Sequence, residues 1–355
     1  MNFPKAVLLA LFLMAVLAAM RHFAPAEPEK EFVFSPLLDD AAFLSDLRGE
    51  EKNNRKKIAI VAPGSGLHGD DIERFHVLAD RAGFVVPEAA IKEEVPYNAN
   101  SDAERLRLFL EALNDPEVDT LWAVRGGYGA SRLLPELERA TLPDTPKLFI
   151  GYSDMTFLHL FFLKKNWRTI HGGMFWELNN PNGDEENFRL LAALLAGKSG
   201  TMRYDGLQPF NREAREATSI QGTISGGNLT CLAAAVGTPW APDTAGRILL
   251  LEDVREKGYK LDRMFVQLRQ AGLLDRVEAI VLGTFIRGDE HTEFALERFA
   301  AECGKPVFRT DLFGHGRKNR PVLFNAPATI GKAPGDADGF ILEIKSGEPS
   351  RDGNP

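Results

Sequence analysis

From Lys56 onward the chain alternates short apolar runs of β type with amphipathic helical runs, and that alternation leaves few folds open. "KKIAIVAPGSG" reads as a buried strand ending in a glycine-rich turn, "DDIERFHVLADRAG" as a helix closed by Gly83, and "DAERLRLFLEALND" as a second helix. "DTLWAVRGGYGA" supplies another strand and turn, "SRLLPEL" a helical stretch, and "KLFIGYSD" a further strand. This spacing predicts an α/β fold whose first part is a parallel, Rossmann-like sheet covered on both faces. Ligand sites on such sheets lie beyond the carboxyl ends of the strands. "APGSG", "RGGYG" and "GYSD" are therefore expected to face one crevice.

The pattern loosens between residues 186 and 215, which read as an interdomain linker. A nucleophile domain is expected over 56–185 and a second, smaller α/β domain with a curled sheet or barrel over 216–347, followed by a tail at 348–355. The chain has 355 residues, 44% of them hydrophobic, which is enough for two cores.

The N-terminus stands apart. After Lys5 comes an uncharged apolar run, Ala6 to Met20, of 15 residues. That suits a signal-peptide core better than a full membrane span, which needs about 20 residues. Ala24-Pro25-Ala26 offers a cleavage site, so residues 1–26 are expected to be a signal peptide or membrane anchor, and 27–55 a Pro/Glu-rich linker. The body of the protein is then exported, periplasmic or anchored at the inner membrane; without a working signal it is cytoplasmic.

A formal charge of −8 with no dense Lys/Arg tract argues against nucleic-acid binding and against a polybasic membrane surface. Small basic or zwitterionic partners fit better. Cys231 and Cys303 are the two cysteines, with no C-x-x-C and no histidine cluster at metal-ligand spacing, so neither a disulfide framework nor a zinc site is indicated.

Ser153 raises the sharpest question. A serine before a helix caps an orphan N–H and stabilises by about 1 kcal/mol. Capping has no need of Gly151 two residues earlier, whereas a tight strand-to-helix turn that exposes a nucleophile does. The second glycine of G-x-S-x-G is missing, Met155 standing there, so local residues leave the two readings balanced. A nucleophilic serine also needs a base and an orienting carboxylate. His159 in "FLHLFF" reads as core and His291 in "GDEHTE" as solvated, while His171 in "TIHGGM" competes with His315 in the glycine-flanked "FGHGR". Glu252 and Asp253, at the end of the apolar "RILLL", are equally eligible carboxylates.

"VRGGYGASRLLPEL", "KLFIGYSDMTFLHL", "TIHGGM", "GGNLTCLAAAVGTPW", "ILLLEDVREKGYKLDRMFVQLRQAG" and "FGHGRKN" occur in this order. Together they resemble the serine peptidases of the LD-carboxypeptidase family, including its microcin-immunity branch, over nearly all of residues 57–345. The resemblance implies Ser153 as nucleophile, His315 as base and Glu252 as its orienting carboxylate, with an oxyanion between the N–H groups of Asp154 and Gly127. It also implies hydrolysis of the bond between an L-diamino acid and terminal D-alanine in peptidoglycan stem peptides, without metal or cofactor.

Arg125, Gly126 and Tyr152 are candidate substrate contacts on the same grounds. Arg125 or Arg263 would clamp the substrate carboxylate, against the simpler reading of each as a structural salt bridge. Family members are often homodimers, and muropeptides are the implied partner. Gly173 stands where the family usually has proline, and Leu323 and Asn325 replace the first and last residues of P-x-G; Asn325 can adopt the left-handed conformation that glycine takes. Rival functions are an LD-endopeptidase on cross-links, an amidase on peptidyl-nucleotide antibiotics, and a non-catalytic muropeptide binder.

Overall fold

The computed structural model describes residues 32–49, 57–86, 90–198, 200–335 and 339–347. The apolar N-terminal run and residues 348–355 lie outside them. Residues 34 onward belong to one compact unit. Among the described residues no helix is long and apolar enough to cross a membrane.

Twelve strands occur in the described residues: β1 (Lys57–Val61), β2 (Val118–Ala123), β3 (Leu148–Gly151), β4 (Thr169–His171), β5 (Thr201–Pro209), β6 (Ser219–Asn228), β7 (Arg247–Val254), β8 (Ala279–Ile286), β9 (Val307–Arg309), β10 (Val322–Phe324), β11 (Pro327–Lys332) and β12 (Phe340–Lys345). β1 to β4 run parallel in sequence order, as the alternating pattern requires, and β10 returns from the far end of the chain to lie antiparallel on β4, with Leu323 opposite Ile170. The other seven close into a barrel in the order β11-β12-β5-β9-β8-β7-β6. Within it β6 to β9 are mutually parallel and the remaining pairs antiparallel. β7 is buried from Ile248 to Asp253, as expected of a parallel strand covered on both faces, while β12 alternates toward its end.

The helix Thr156–Lys164 joins the two sheets. Every residue from Thr156 to Phe162 is buried, because the helix is apolar all round and packs against β4, β6 and the helix Leu229–Ala235. Its first residue meets the end of β6 closely: Thr156 Oγ1 accepts from Asn228 N–H at 3.0 Å, and a Cβ on Gly227 (φ +132°) would lie 2.6 Å from that oxygen.

Two stretches read as linkers are folded. Within 27–55, Asp40 caps the helix Ala41–Arg48, Gly49 ends it in the left-handed conformation, and Phe34, Leu37, Leu38, Phe43 and Leu47 are buried. The Pro/Glu composition just before it hid this amphipathic pattern. Within 186–215 lie most of the helix Glu185–Leu195 and β5, a full barrel strand between β12 and β9. Exposed Asp205 and Gly206 (φ +87°) interrupt the alternation of β5 and mask it as a strand.

Candidate active site

Gly151 ends β3, and the chain turns at once into a short 3-10 helix, Ser153–Met155, that leads into Thr156–Lys164. The turn requires glycine, since a Cβ on Gly151 would lie 2.7 Å from Met155 Cγ. Ser153 itself has φ +62°, a left-handed conformation that costs a non-glycine residue on the order of 1 kcal/mol. Its side chain caps neither this 3-10 helix nor the helix that follows. The capping interpretation therefore fails.

The three glycine-rich turns do meet. A Cβ on Gly126 would lie 2.9 Å from Ser153 Cβ and 3.2 Å from its Oγ, so only glycine lets this backbone approach the serine. Gly127 follows with φ +84°, in contact with Ser65 of the first turn, and Ser65 N–H donates to Gly126 O at 3.0 Å. Asp154 ties the arrangement together: its buried Oδ2 accepts from Ala130 N–H at 2.9 Å, at the start of the helix Ala130–Arg139. Burial pushes this carboxyl up to about 6, against the Ala130 bond, the Arg105 charge and the Gly129 N–H. Sequence reasoning assigned Asp154 only a backbone role; its side chain fastens the serine turn to the Gly126–Gly129 turn.

From the barrel, Glu252 near the end of β7 has no exposed surface, and its Oε2 lies 2.6 Å from His315 Nδ1. Its Oε1 has no partner among the described residues. The loop carrying His315 is held on both sides, Gly314 N–H donating to Asn319 Oδ1 at 3.2 Å and Gly316 N–H to Thr284 Oγ1 at 3.1 Å. Gly314 (φ +105°) is needed because a Cβ there would lie 2.8 Å from Glu252 Cβ. Asp253 engages different groups: it accepts from Asn228 Nδ2, Thr230 N–H and Thr230 Oγ1 at 2.8–3.1 Å, and burial pushes its carboxyl up to about 6. Strand alternation thus settles which of the adjacent carboxylates reaches the imidazole.

Burial opposes a charged His315, but the Glu252 hydrogen bond and the charges of Glu252, Glu177 and Asp253 outweigh it and raise the imidazole above its usual value. The His315 ring lies 4.8 Å from the ring of Tyr152, the residue before Ser153. Tyr152 in turn donates its hydroxyl to Glu177 Oε1 at 2.6 Å. Burial raises Glu177, with the Tyr152 bond and His315 acting against it. No local sequence signal pointed to Glu177, which lies in the short 3-10 helix Phe175–Asn179, 25 residues from Tyr152.

His171 is fully buried, both ring nitrogens lack partners among the described residues, and burial holds it well below its usual value. Among the described residues no carboxylate orients it. His159 is core, bonded through Nε2 to Gly151 O at 2.9 Å, and His291 is exposed. Arg125 donates to Gly66 O at 3.3 Å and Arg263 lies over the Tyr259 ring at 5.5 Å; among the described residues neither takes the structural salt bridge expected of it.

The family model of the LD-carboxypeptidase N-terminal domain matches residues 58–172, and that of the C-terminal domain matches 221–330. The chain is 37% identical over 277 residues to a putative carboxypeptidase of Rickettsia conorii, covering 78% of this chain and 88% of that one. It is 30% identical over 297 residues to the murein tetrapeptide carboxypeptidase of Pseudomonas aeruginosa, covering 77% and 92%. The crystal structure of muramoyltetrapeptide carboxypeptidase from Oxalobacter formigenes superimposes with a TM-score of 0.71 at 29% identity, over 81% of this chain and 98% of that one. The strained serine turn and the barrel that faces it therefore belong to a serine-type carboxypeptidase of the LD-carboxypeptidase family.

Proposed function

We propose that this chain hydrolyses the bond between an L-diamino acid and terminal D-alanine in peptidoglycan tetrapeptides, using Ser153, His315 and Glu252. The observation that carries the reading is the fully buried Glu252 at 2.6 Å from His315 Nδ1, with that imidazole against Tyr152, one residue from a strained serine. His315 takes the Ser153 proton as Oγ attacks the scissile carbonyl, then returns it to the leaving D-alanine amine; water repeats the cycle on the acyl-serine. Glu252 fixes the imidazole tautomer and stabilises its cation. The N–H groups of Asp154 and Gly127 receive the developing oxyanion; their two turns are already fastened by the Asp154–Ala130 bond, so little reorganisation accompanies the reaction. Relatives that act on murein tetrapeptide support the substrate class.

The apolar run Ala6 to Met20 supports an exported or inner-membrane-anchored enzyme acting on wall peptides or released muropeptides. Recovery of the full-length protein in the cytosol with Met1 intact would rule out that location. The activity is tested by mass spectrometry of a disaccharide tetrapeptide and a cross-linked dimer incubated with the full-length protein. Loss of one D-alanine from the tetrapeptide is expected. Cleavage of the dimer alone would replace the carboxypeptidase reading with an endopeptidase, and cleavage of neither would overturn the peptidase reading.

A further inference from the structure

Beside the Gly126–Gly127 turn stands an aromatic pair with no part in the chemistry above. Tyr97 and Tyr128 are 62% and 46% exposed, with ring centroids 5.6 Å apart and planes at 76°. Two exposed tyrosines side by side are poor use of apolar surface unless something covers them. Tyr97 is also strained: it follows Pro96 in a turn closed by Asn98 N–H to Val95 O at 3.2 Å, and its φ of +58° is one that glycine or asparagine would adopt more cheaply.

The surroundings hold that strain in place. Tyr97 N–H donates to Glu93 Oε1 at 2.9 Å, Ser65 Oγ donates to Tyr97 O at 2.6 Å, and the same Oγ accepts from Tyr128 N–H at 3.2 Å. Asn98 Nδ2 donates to Tyr128 O at 2.7 Å. Ser65 thus joins both tyrosines to the turn whose Gly126 touches Ser153. Against Tyr97 lies a hollow of about 320 Å³ lined also by Asn98, Ser101, Asp102 and Arg132, the last two paired at 2.6 Å. Ring faces edged by amide, hydroxyl, carboxylate and guanidinium groups match a ligand that has both C–H faces and many hydroxyls. A pyranose has that chemistry, and the stem peptide of a muropeptide carries one at its amino end. The three stem residues before the scissile bond span about 10 Å when extended. Tyr128 is two residues from Gly126, at most about 7 Å along the chain.

We propose that Tyr97 and Tyr128 form a sugar subsite, a preorganised platform that stacks on the amino sugar attached to the stem peptide and sets a preference for muropeptides over sugar-free peptides. This rests on the peptidase reading above. The test compares kcat/KM for disaccharide tetrapeptide with that for the free tetrapeptide in the full-length wild type, in Tyr97→Gly combined with Tyr128→Ala, in Tyr97→Phe, and in Phe294→Ala, an exposed aromatic on the helix Thr292–Glu302. Glycine suits the left-handed backbone at 97, so the double variant folds. The wild type is expected to prefer the sugar-bearing substrate, and the double variant to lose about tenfold of that preference through KM, the scale of deleting a stacked ring face. Tyr97→Phe and Phe294→Ala retain the preference. An equal ratio in the wild type, an unchanged ratio in the double variant, or the same loss in Phe294→Ala overturns the subsite while leaving the peptidase standing. Cleavage of neither substrate by the wild type overturns both.

Discussion

Glu252, on barrel strand β7, and His315, on the loop between β9 and β10 and 63 residues away in sequence, meet at 2.6 Å with the carboxylate wholly removed from solvent. A buried carboxylate with one oxygen on an imidazole nitrogen dictates which nitrogen carries the proton and leaves Nε2 free to act as base. Glu252→Gln keeps the shape but can present an amide N–H to Nδ1, which favours the wrong tautomer. The variant is expected to remain folded by circular dichroism while kcat falls on the order of 10³-fold or more.

With His315 as the proposed base, its raised value is expected to set the acid limb of activity. The imidazole acts as a base only when neutral, so kcat/KM should fall as pH drops through a value above the 6.5 of an ordinary histidine. Glu252, Glu177 and Asp253 favour the cation, and buried His171 nearby stays neutral. Replacing Glu177 with glutamine removes one of these negative charges and keeps a hydrogen-bond acceptor for Tyr152. Its pH–rate profile is therefore expected to shift its acid limb to lower pH, whereas a purely structural Glu177 would change rates without moving the limb.

Gly126→Ala separates site geometry from stability. Gly126 has no left-handed backbone, so alanine strains only its contacts with Ser153, at 2.9 Å from Cβ and 3.2 Å from Oγ. We expect kcat to fall about 100-fold, the scale of displacing a reacting group by roughly 1 Å, with the melting temperature moving only a few degrees. Gly127→Ala meets Ser65 and the left-handed backbone together, so it is expected to cost stability as well.

Asp154→Ala removes the carboxylate that joins the serine turn to the helix Ala130–Arg139. The loss of this cap should cost about 1–2 kcal/mol in a denaturant titration and lower kcat, since the two proposed oxyanion donors lose their mutual anchor.

Much of the fold is legible because its signals are local. The alternating runs of the first sheet announce parallel strands, and Asn325 takes the left-handed conformation expected of it, with φ +61°. Three features escape because they are settled by contacts far apart in the chain. The three-residue β10 joins the first sheet only through its partner β4, and β5 becomes a strand because the barrel needs it between β12 and β9. Glu177 reaches Tyr152 from the short 3-10 helix Phe175–Asn179, which has no motif of its own. Ser153 illustrates the boundary: local residues leave cap and nucleophile balanced, and it takes a backbone angle and a missing capping bond to set the cap aside.

Release of D-alanine from a disaccharide tetrapeptide by full-length Ser153→Ala, beside the wild type, tests the central claim most directly. A nucleophilic Ser153 predicts a fall in kcat/KM on the order of 10⁴-fold or more with the fold intact. Activity within tenfold of the wild type would show that another group makes the attack and would contradict the mechanism.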